Sequence, residues 1–205
     1  VWEAAFKQSG IVLAKDIDAM FDYARIFANQ PLPRGDRVAI VTDGGGFGVI
    51  ATDSCIYYGL RLAKLSGSTI WKLKQEFPPH TVVSNPIDLT GDVTAEMYDK
   101  AVRAVMEDDN VDSVICIVLF QPPHLTSEVV QVLSDINEEY DKPLVVCASG
   151  GEYSMLHLRL LEENGIPTYT NLSDAARSLA ALTLYHEFLE APVAIPHHLR
   201  RRQLF

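Results

Sequence analysis

The sequence predicts an α/β protein, a flavodoxin-like doubly wound five-stranded parallel sheet in the order 2-1-3-4-5. Three observations carry this. Five short apolar runs alternate with helix-length amphipathic segments, which is the signature of repeated strand–helix crossovers. The run Ser113–Phe120 is almost wholly apolar, as a strand covered on both faces must be. The run Arg37–Thr42 ends in the glycines of Gly44-Gly-Gly-Phe-Gly48 and turns straight into a helical pattern. Right-handed crossovers and five strands then favour that order, with ligands at the carboxyl ends of the strands near the switch between strands one and three.

Residues 1–9 read as the last turns of an amphipathic helix, and Ile11-Val-Leu13 as a short strand. The chain opens on Val1 inside this helical pattern, which reads as the cut end of something longer. Asp16 is placed to N-cap a helix to about Asn29, with Ile17, Met20, Phe21, Ala24 and Phe27 on one face. This set is too short to build its own core. Pro31-Leu-Pro-Arg-Gly35 marks a linker. The expected division is 1–32 as the end of a preceding domain, 33–190 as one flavodoxin-fold domain, and 191–205 as a tail.

Within that domain, strand one is Arg37–Thr42 with a helix over 47–59. Strand two is Leu60–Leu65, and Ser66 or Ser68 caps a helix to Glu76. An irregular stretch covers Phe77–Gly91. A helix over 94–107 places Tyr98, Ala101, Val102 and Val105 inward. Ser113–Phe120 is the central strand. Then come a helix over 125–139, a strand over Pro143–Cys147, a helix over 152–164, a strand over Pro167–Tyr169 and a helix over 173–189. Gly165 suits a helix C′ position, and Asn171 or Ser173 an N-cap.

Composition excludes several functions. The net charge of −10 argues against a general nucleic-acid or anionic-membrane role. Arg200-Arg-Arg202 reads as a solvated tail. Cys55, Cys116 and Cys147 sit in apolar runs without a CxxC pair, as reduced core residues of a cytoplasmic protein do. The longest apolar run, around Val114 to Phe120, is far too short to cross a bilayer. None of His80, His124, His157, His186, His197 and His198 has metal-ligand spacing, so no metal is expected. Of the six, only His124 is placed at the ligand edge.

Three loops fall on that edge. The first is the glycine turn. A strand that ends in glycines and enters a helix aims free N–H groups and the positive end of the helix dipole at one point, which suits an anion. It matches neither GxGxxG nor GxxxxGK[ST]. The bland reading is that Gly44 and Gly45 allow positive φ and Gly48 allows close helix–sheet packing. Asp43 is repulsive to a bound anion unless it points away or a proton or metal intervenes. The second loop is Asn85-Pro-Ile-Asp-Leu-Thr-Gly91. Either it is tied by Asx and proline turns, or a rigid proline holds the polar groups of Asn85, Asp88 and Thr90 at the ligand edge. The third, Ser149-Gly-Gly-Glu152, is a weaker version of the first. No Ser-His-Asp or Cys-His arrangement can be assigned. A receiver-type switch is disfavoured because the third strand ends in Phe120-Gln121 without an acceptor Asp; flavin binding has only the fold in its favour.

Together, Val38-Ala-Ile-Val-Thr-Asp-Gly-Gly-Gly-Phe-Gly48, Asn85-Pro-Ile-Asp-Leu-Thr-Gly91 and Gly150-Gly151 resemble the ADP-forming (NDP-forming) acyl-CoA synthetases, the acetate–CoA ligase family related to succinyl-CoA synthetase. Residues 1–30 are similar to the end of that family's preceding flavodoxin-like domain, and 37–190 to its next CoA-ligase domain. The resemblance implies the reversible reaction of an acid, CoA and ATP to acyl-CoA, ADP and phosphate. It implies a phosphohistidine carried between sites and held by two helix N-termini, the second matching Gly44, Gly45, Gly46, Phe47 and Gly48. Asp43, Asn85, Asp88, Thr90, Gly91, Gly150 and Gly151 would shape that site. The family often has Asn at position 43 and Pro at 47. Its histidine lies in a Ser-His-Thr-Gly motif that none of the six histidines matches, so no catalytic residue is assigned in this chain. The implied partners are a CoA-binding domain and an ATP-grasp domain. ATP, Mg and CoA are expected in the complete enzyme and no cofactor in this segment. The alternative is a non-catalytic ligand-sensing or docking domain of the same fold.

Overall fold

A computed structural model describes residues 2–191. The expected tail lies outside the described residues from 192 onward, with His197, His198 and Arg200–Arg202. In chain order the elements are α1 (Trp2–Gln8), α2 (Ile17–Asn29), β1 (Arg37–Thr42), α3 (Gly45–Tyr57), β2 (Arg61–Leu62), α4 (Gly67–Glu76) and β3 (Ile87–Asp88). There follow α5 (Ala95–Met106), β4 (Ser113–Ile117), α6 (Glu128–Glu139), β5 (Leu144–Cys147), α7 (Glu152–Glu163), β6 (Thr168–Tyr169) and α8 (Leu172–Glu190).

The sheet runs β2-β1-β4-β5-β6, every pair parallel, which is the expected 2-1-3-4-5 order. β1 and β4 form its centre, in register from Val38 opposite Ser113 to Thr42 opposite Ile117. One strand was not anticipated: β3 pairs with the end of β1, Val41 opposite Ile87 and Thr42 opposite Asp88. The sheet therefore has six strands rather than five. Ile87 and Asp88 are too short a run to show a period-two pattern, so the local signal was that of a proline loop.

Alternation along the strands builds two cores, one on each face. Val38 and Ile40 of β1, with Ile115 and Ile117 of β4, face α3, α8 and Ile26 of α2. Ala39, Val41, Val114 and Cys116 face α4, α5, α6 and α7, including Tyr98, Val102 and Leu133. The three cysteines are buried and free. Burial pushes the thiols of Cys55 and Cys147 up to about 12 and that of Cys116 up as well, so they pack as small apolar groups.

The capping residues read from the sequence hold. Asp16 accepts from the Ala19 N–H, Ser66 from Thr69 and Asn171 from Ser173. Gly165 closes α7 at φ 75°, with Ile166 N–H donating to the Leu161 carbonyl. The N-terminal expectations hold less well. Residues 11–14 form no strand. α2 turns Ala19 and Ile26 inward and packs on α8, while Ile17, Met20 and Phe21 are exposed. Its helical period is correct but the face is rotated towards Ala19 and Ile26; of the expected face, Phe27 does pack, edge-on to Tyr185 of α8 at 5.5 Å.

Tyr98 is the largest fully buried side chain, and its hydroxyl donates to the Ile117 carbonyl at 2.7 Å, at the end of β4. Tyr98→Phe leaves that carbonyl without its partner. Urea denaturation should show a loss of about 1–2 kcal/mol, and an unchanged midpoint would mean that the bond contributes nothing.

Candidate functional site

Helices that follow parallel strands point their N-termini at the carboxyl edge of the sheet. In α4, α5 and α8 a side chain caps that end. In α3, α6 and α7, which follow the three central strands β1, β4 and β5, no side chain does. The uncapped helix starts are thus gathered at the switch crevice, where the fold leaves room for a ligand.

The glycine turn is built by close approach rather than by unusual backbone. Gly44 is the N-cap of α3 at φ −143°, and neither it nor Gly45 has positive φ, contrary to that part of the sequence reading. A Cβ on Gly44 would stand 2.8 Å from Leu119 Cδ1. On Gly48 it would stand 3.2 Å from Thr42 Cγ2 and 3.3 Å from Pro86 Cβ. Gly48 is therefore the packing glycine that the bland reading anticipated. The Phe47 and Gly48 amides both donate to the Gly44 carbonyl, at 2.9 and 3.2 Å. They are engaged within the helix, so the expected set of donors narrows to Gly45 and Gly46, whose amides have no acceptor among the described residues. At Gly46 an added Cβ would meet nothing within 4 Å, so the helix start has open space beside this residue.

Asp43 points away from the turn. It is 5 % exposed, and both carboxylate oxygens lie 3.2 Å from the Leu119 N–H. Burial pushes its carboxyl from 3.8 up to about 6; the Leu119 amide and the Tyr98 hydroxyl pull it down, and Asp88 adds to the rise. The carboxylate that does meet the turn is Asp88. Its Oδ2 would lie 2.6 Å from a Cβ on Gly45, while Oδ1 accepts from Thr90 N–H at 2.9 Å. The repulsion expected from Asp43 thus belongs to Asp88.

Of the two readings of the Asn85 loop, the one that places the polar groups of Asn85 at the ligand edge does not match its hydrogen bonds. Its Oδ1 accepts from Ile40 N–H at 2.9 Å. Its Nδ2 donates to the carbonyls of Val38 at 2.8 Å and Ala63 at 2.9 Å. The side chain is an extra rung between β1 and the chain at β2: it partners Ile40 N–H and the Ala63 carbonyl, while the Val38 carbonyl also accepts from Ala63 N–H at 2.9 Å. The Asn85–Pro86 bond is cis, and Pro86 packs on Gly48. Thr90 stands at φ 65° with its Oγ1 buried and unpartnered, and Gly91 is exposed with open space beside it. The loop therefore shapes the site mainly by presenting Asp88 to α3.

Across the crevice, the loop after β4 carries Phe120 at φ 55° and Gln121, whose Nε2 lies 3.4 Å from the Ser149 carbonyl. Gly150 and Gly151 lead into α7, with Ser154 buried in its first turn. His157 is buried between Phe120 and Tyr153, at 4.6 and 4.4 Å between ring centres. His124 is exposed in the loop, and His80 lies 3.6 Å from Asp92. Among the described residues no cluster of His, Cys, Asp and Glu could hold a metal ion, and no helix is long and apolar enough to cross a membrane. Sequence reasoning missed Tyr98 and Ser154 as site neighbours; for Ser154 the Gly-Gly turn three residues earlier was the available signal.

The model of the Ligase-CoA domain family matches residues 38–190. The chain belongs to the Ligase-CoA domain family. This Ligase-CoA domain is 38 % identical over 188 residues to subunit alpha of acetate–CoA ligase [ADP-forming] II from Pyrococcus furiosus, which covers 89 % of the chain. Its fold superposes on PH0766 from Pyrococcus horikoshii OT3 with a TM-score of 0.87 at 36 % identity over 93 % of the chain. It superposes on the dinucleotide forming acetyl-coenzyme A synthetase 1 of Ca. Korarchaeum cryptofilum, in complex with phosphate and ADP, with a TM-score of 0.84 at 31 % identity over 91 %. The chain spans 40 % of the P. furiosus subunit and 44 % and 41 % of the two solved chains.

Proposed function

We propose that this chain is the CoA-ligase part of an ADP-forming acyl-CoA synthetase, and that the first turn of α3 holds the phosphoryl group of a phosphohistidine supplied by another segment. The observation that carries this is the pair of unengaged amides, Gly45 and Gly46, on an uncapped helix at the carboxyl end of the central strand. Two aligned N–H groups and the helix dipole stabilise negative charge without reorganising when it arrives, which favours the strained oxygens of a phosphoryl group in transfer. Asp43 supports the reading by turning its charge into Leu119. Residues 1–32 are then the end of a preceding domain and 33–190 the CoA-ligase domain. ATP, Mg and CoA bind to other parts, a CoA-binding domain and an ATP-grasp domain. Three buried free cysteines suit a cytoplasmic location.

The test is a titration of the isotope-labelled chain with inorganic phosphate, read on backbone amides. Gly45 and Gly46 should move. Asp88→Asn removes the carboxylate that shares the helix start and should tighten binding about two- to fivefold. If both amides stay still in both proteins, α3 is not a phosphoryl site.

The docking alternative has one observation in its favour. α3 leaves Val49, Ile50, Ile56 and Tyr57 exposed on its outer face. That face suits another domain of the synthetase equally well. Adding the upstream and ATP-grasp parts and measuring CoA-dependent ADP formation separates the two readings, since a docking domain alone would give none.

A further inference from the structure

Asp43 is the last residue before the N-cap of α3, and the fold gives its charge little support. The side chain is buried, and its two oxygens share the Leu119 N–H, at 3.2 Å from each. A carboxylate offers about four acceptor sites, so this one is under-bonded. The Tyr98 hydroxyl stands close by but gives its proton to the Ile117 carbonyl at 2.7 Å. The titratable groups that face Asp43 are Asp88 from β3, Tyr98 from α5 and Cys116 from β4, and no cation is among them. Residues 44–48 of the turn and 118–121 of the loop after β4 bring no titratable group. Asp88 is a second carboxylate at the same helix start, with Oδ2 2.6 Å from a Cβ on Gly45. A buried, under-bonded carboxylate with another close by keeps its proton easily.

Asp43 and Gly45 are two trans links apart, so their Cα atoms lie at most about 7.6 Å from each other. That is within the Debye length of about 8 Å at physiological ionic strength, and a buried charge is screened less still. Turning the carboxylate towards Leu119 therefore lessens its repulsion of an anion on the turn without removing it. We propose that Asp43 couples the α3 turn to a proton: a dianion at Gly45 and Gly46 draws a proton onto Asp43, and loss of that proton loosens the dianion. The inference rests on the α3 reading and adds to it that the occupant is a dianion bound together with one proton. The proton comes from solvent and returns to it, and no other bond changes. By reciprocity, the anion tightens the proton by the factor by which the proton tightens the anion. A factor of about ten is expected for a unit charge against a dianion at this separation. A phosphoryl group is then gripped while Asp43 is protonated and released more readily when it ionises.

Sulfate tests this, because it is a tetrahedral dianion with no proton to exchange in the range used, whereas inorganic phosphate titrates in the same window. In the labelled chain the Asp43 carboxyl carbon should titrate at about 6 without sulfate and about one unit higher at saturation. Read on the amides of Gly45 and Gly46, sulfate should bind about fivefold more weakly at pH 7.5 than at pH 5.5. Asp43→Asn has no proton to exchange, so it should lose that dependence and bind at both pH values as the parent does in acid. Asp88→Asn should tighten binding at both and keep the dependence. The proposal is overturned if sulfate moves Gly45 and Gly46 but leaves the Asp43 titration where it was, or if Asp43→Asn keeps the pH dependence of the parent. The carboxyl titration needs only the parent chain, so it decides the matter even if the variant fails to fold. If neither amide responds to sulfate at either pH, the α3 reading itself fails, and this inference with it.

Discussion

Replacing Asn85 by alanine should lower the unfolding free energy by about 2–4 kcal/mol. The side chain makes three hydrogen bonds to main-chain groups: one from Ile40 N–H and two to the carbonyls of Val38 and Ala63. The Val38 carbonyl keeps Ala63 N–H, but Ile40 and Ala63 are buried, so water cannot replace the partners lost by Ile40 N–H and the Ala63 carbonyl without opening the sheet. Each orphaned group costs about 1–3 kcal/mol, and partial relaxation brings the sum below the simple total. Asn85→Asp is the sharper control. It keeps the shape and the acceptor for Ile40 but sets a carboxylate oxygen against two carbonyls, so it should be at least as destabilising as alanine. Denaturant unfolding of the three proteins reads this directly. A loss under about 1 kcal/mol for both variants would mean that the rung is not a structural bond and would return Asn85 to the ligand edge.

Asp43→Asn should make the protein more stable at neutral pH, with a benefit that depends on pH in a defined direction. The folded carboxyl titrates at about 6, above its ordinary 3.8, so the folded state holds the proton more tightly than the unfolded chain. Stability from this group is complete below the unfolded value and is lost as pH rises through the folded one. Asparagine keeps an acceptor for Leu119 N–H and carries no charge at any pH. The stability difference, Asp43→Asn minus parent, should therefore grow by about 2 kcal/mol between pH 4.5 and 7.5. Denaturant midpoints at the two pH values measure it, and every group common to both proteins cancels. A difference that is flat with pH would show that Asp43 is ionised in the fold at no cost.

Both predictions depend on where side chains point, and that is the level at which sequence reading was weakest. Strand and helix content was legible because it follows local periods: Val38 to Val41, Ser113 to Ile117 and the inward face of Tyr98, Ala101, Val102 and Val105 all lie where their patterns place them. Caps were legible because Asp16, Ser66 and Asn171 act on amides two or three residues away. The glycine turn could be recognised as a helix start at a ligand edge. Its donors could not be counted, because the engagement of Phe47 and Gly48 with Gly44 is a matter of how the first turn closes. Asp43 and Asp88 exchanged roles for a similar reason. They are 45 positions apart in sequence, and only the pairing of β3 with β1 brings both to the same end of the same strand.

The sequence by itself determined the class of fold, the order of the sheet, the two-faced burial of the central strands and the location of the carboxyl-edge loops. These are consequences of hydrophobic period, turn residues and crossover handedness, all of which act over a few residues or by general rule. The tertiary structure alone decided that Asn85 completes the sheet, that Asp43 faces Leu119, that Asp88 sits on the start of α3, and that Ser154 meets Gln121 beneath Gly150. Each of these joins groups from separate loops through contacts of a few ångströms. No local pattern encodes such a meeting, because it is fixed by the register of parallel strands whose partners are 22 to 75 residues apart.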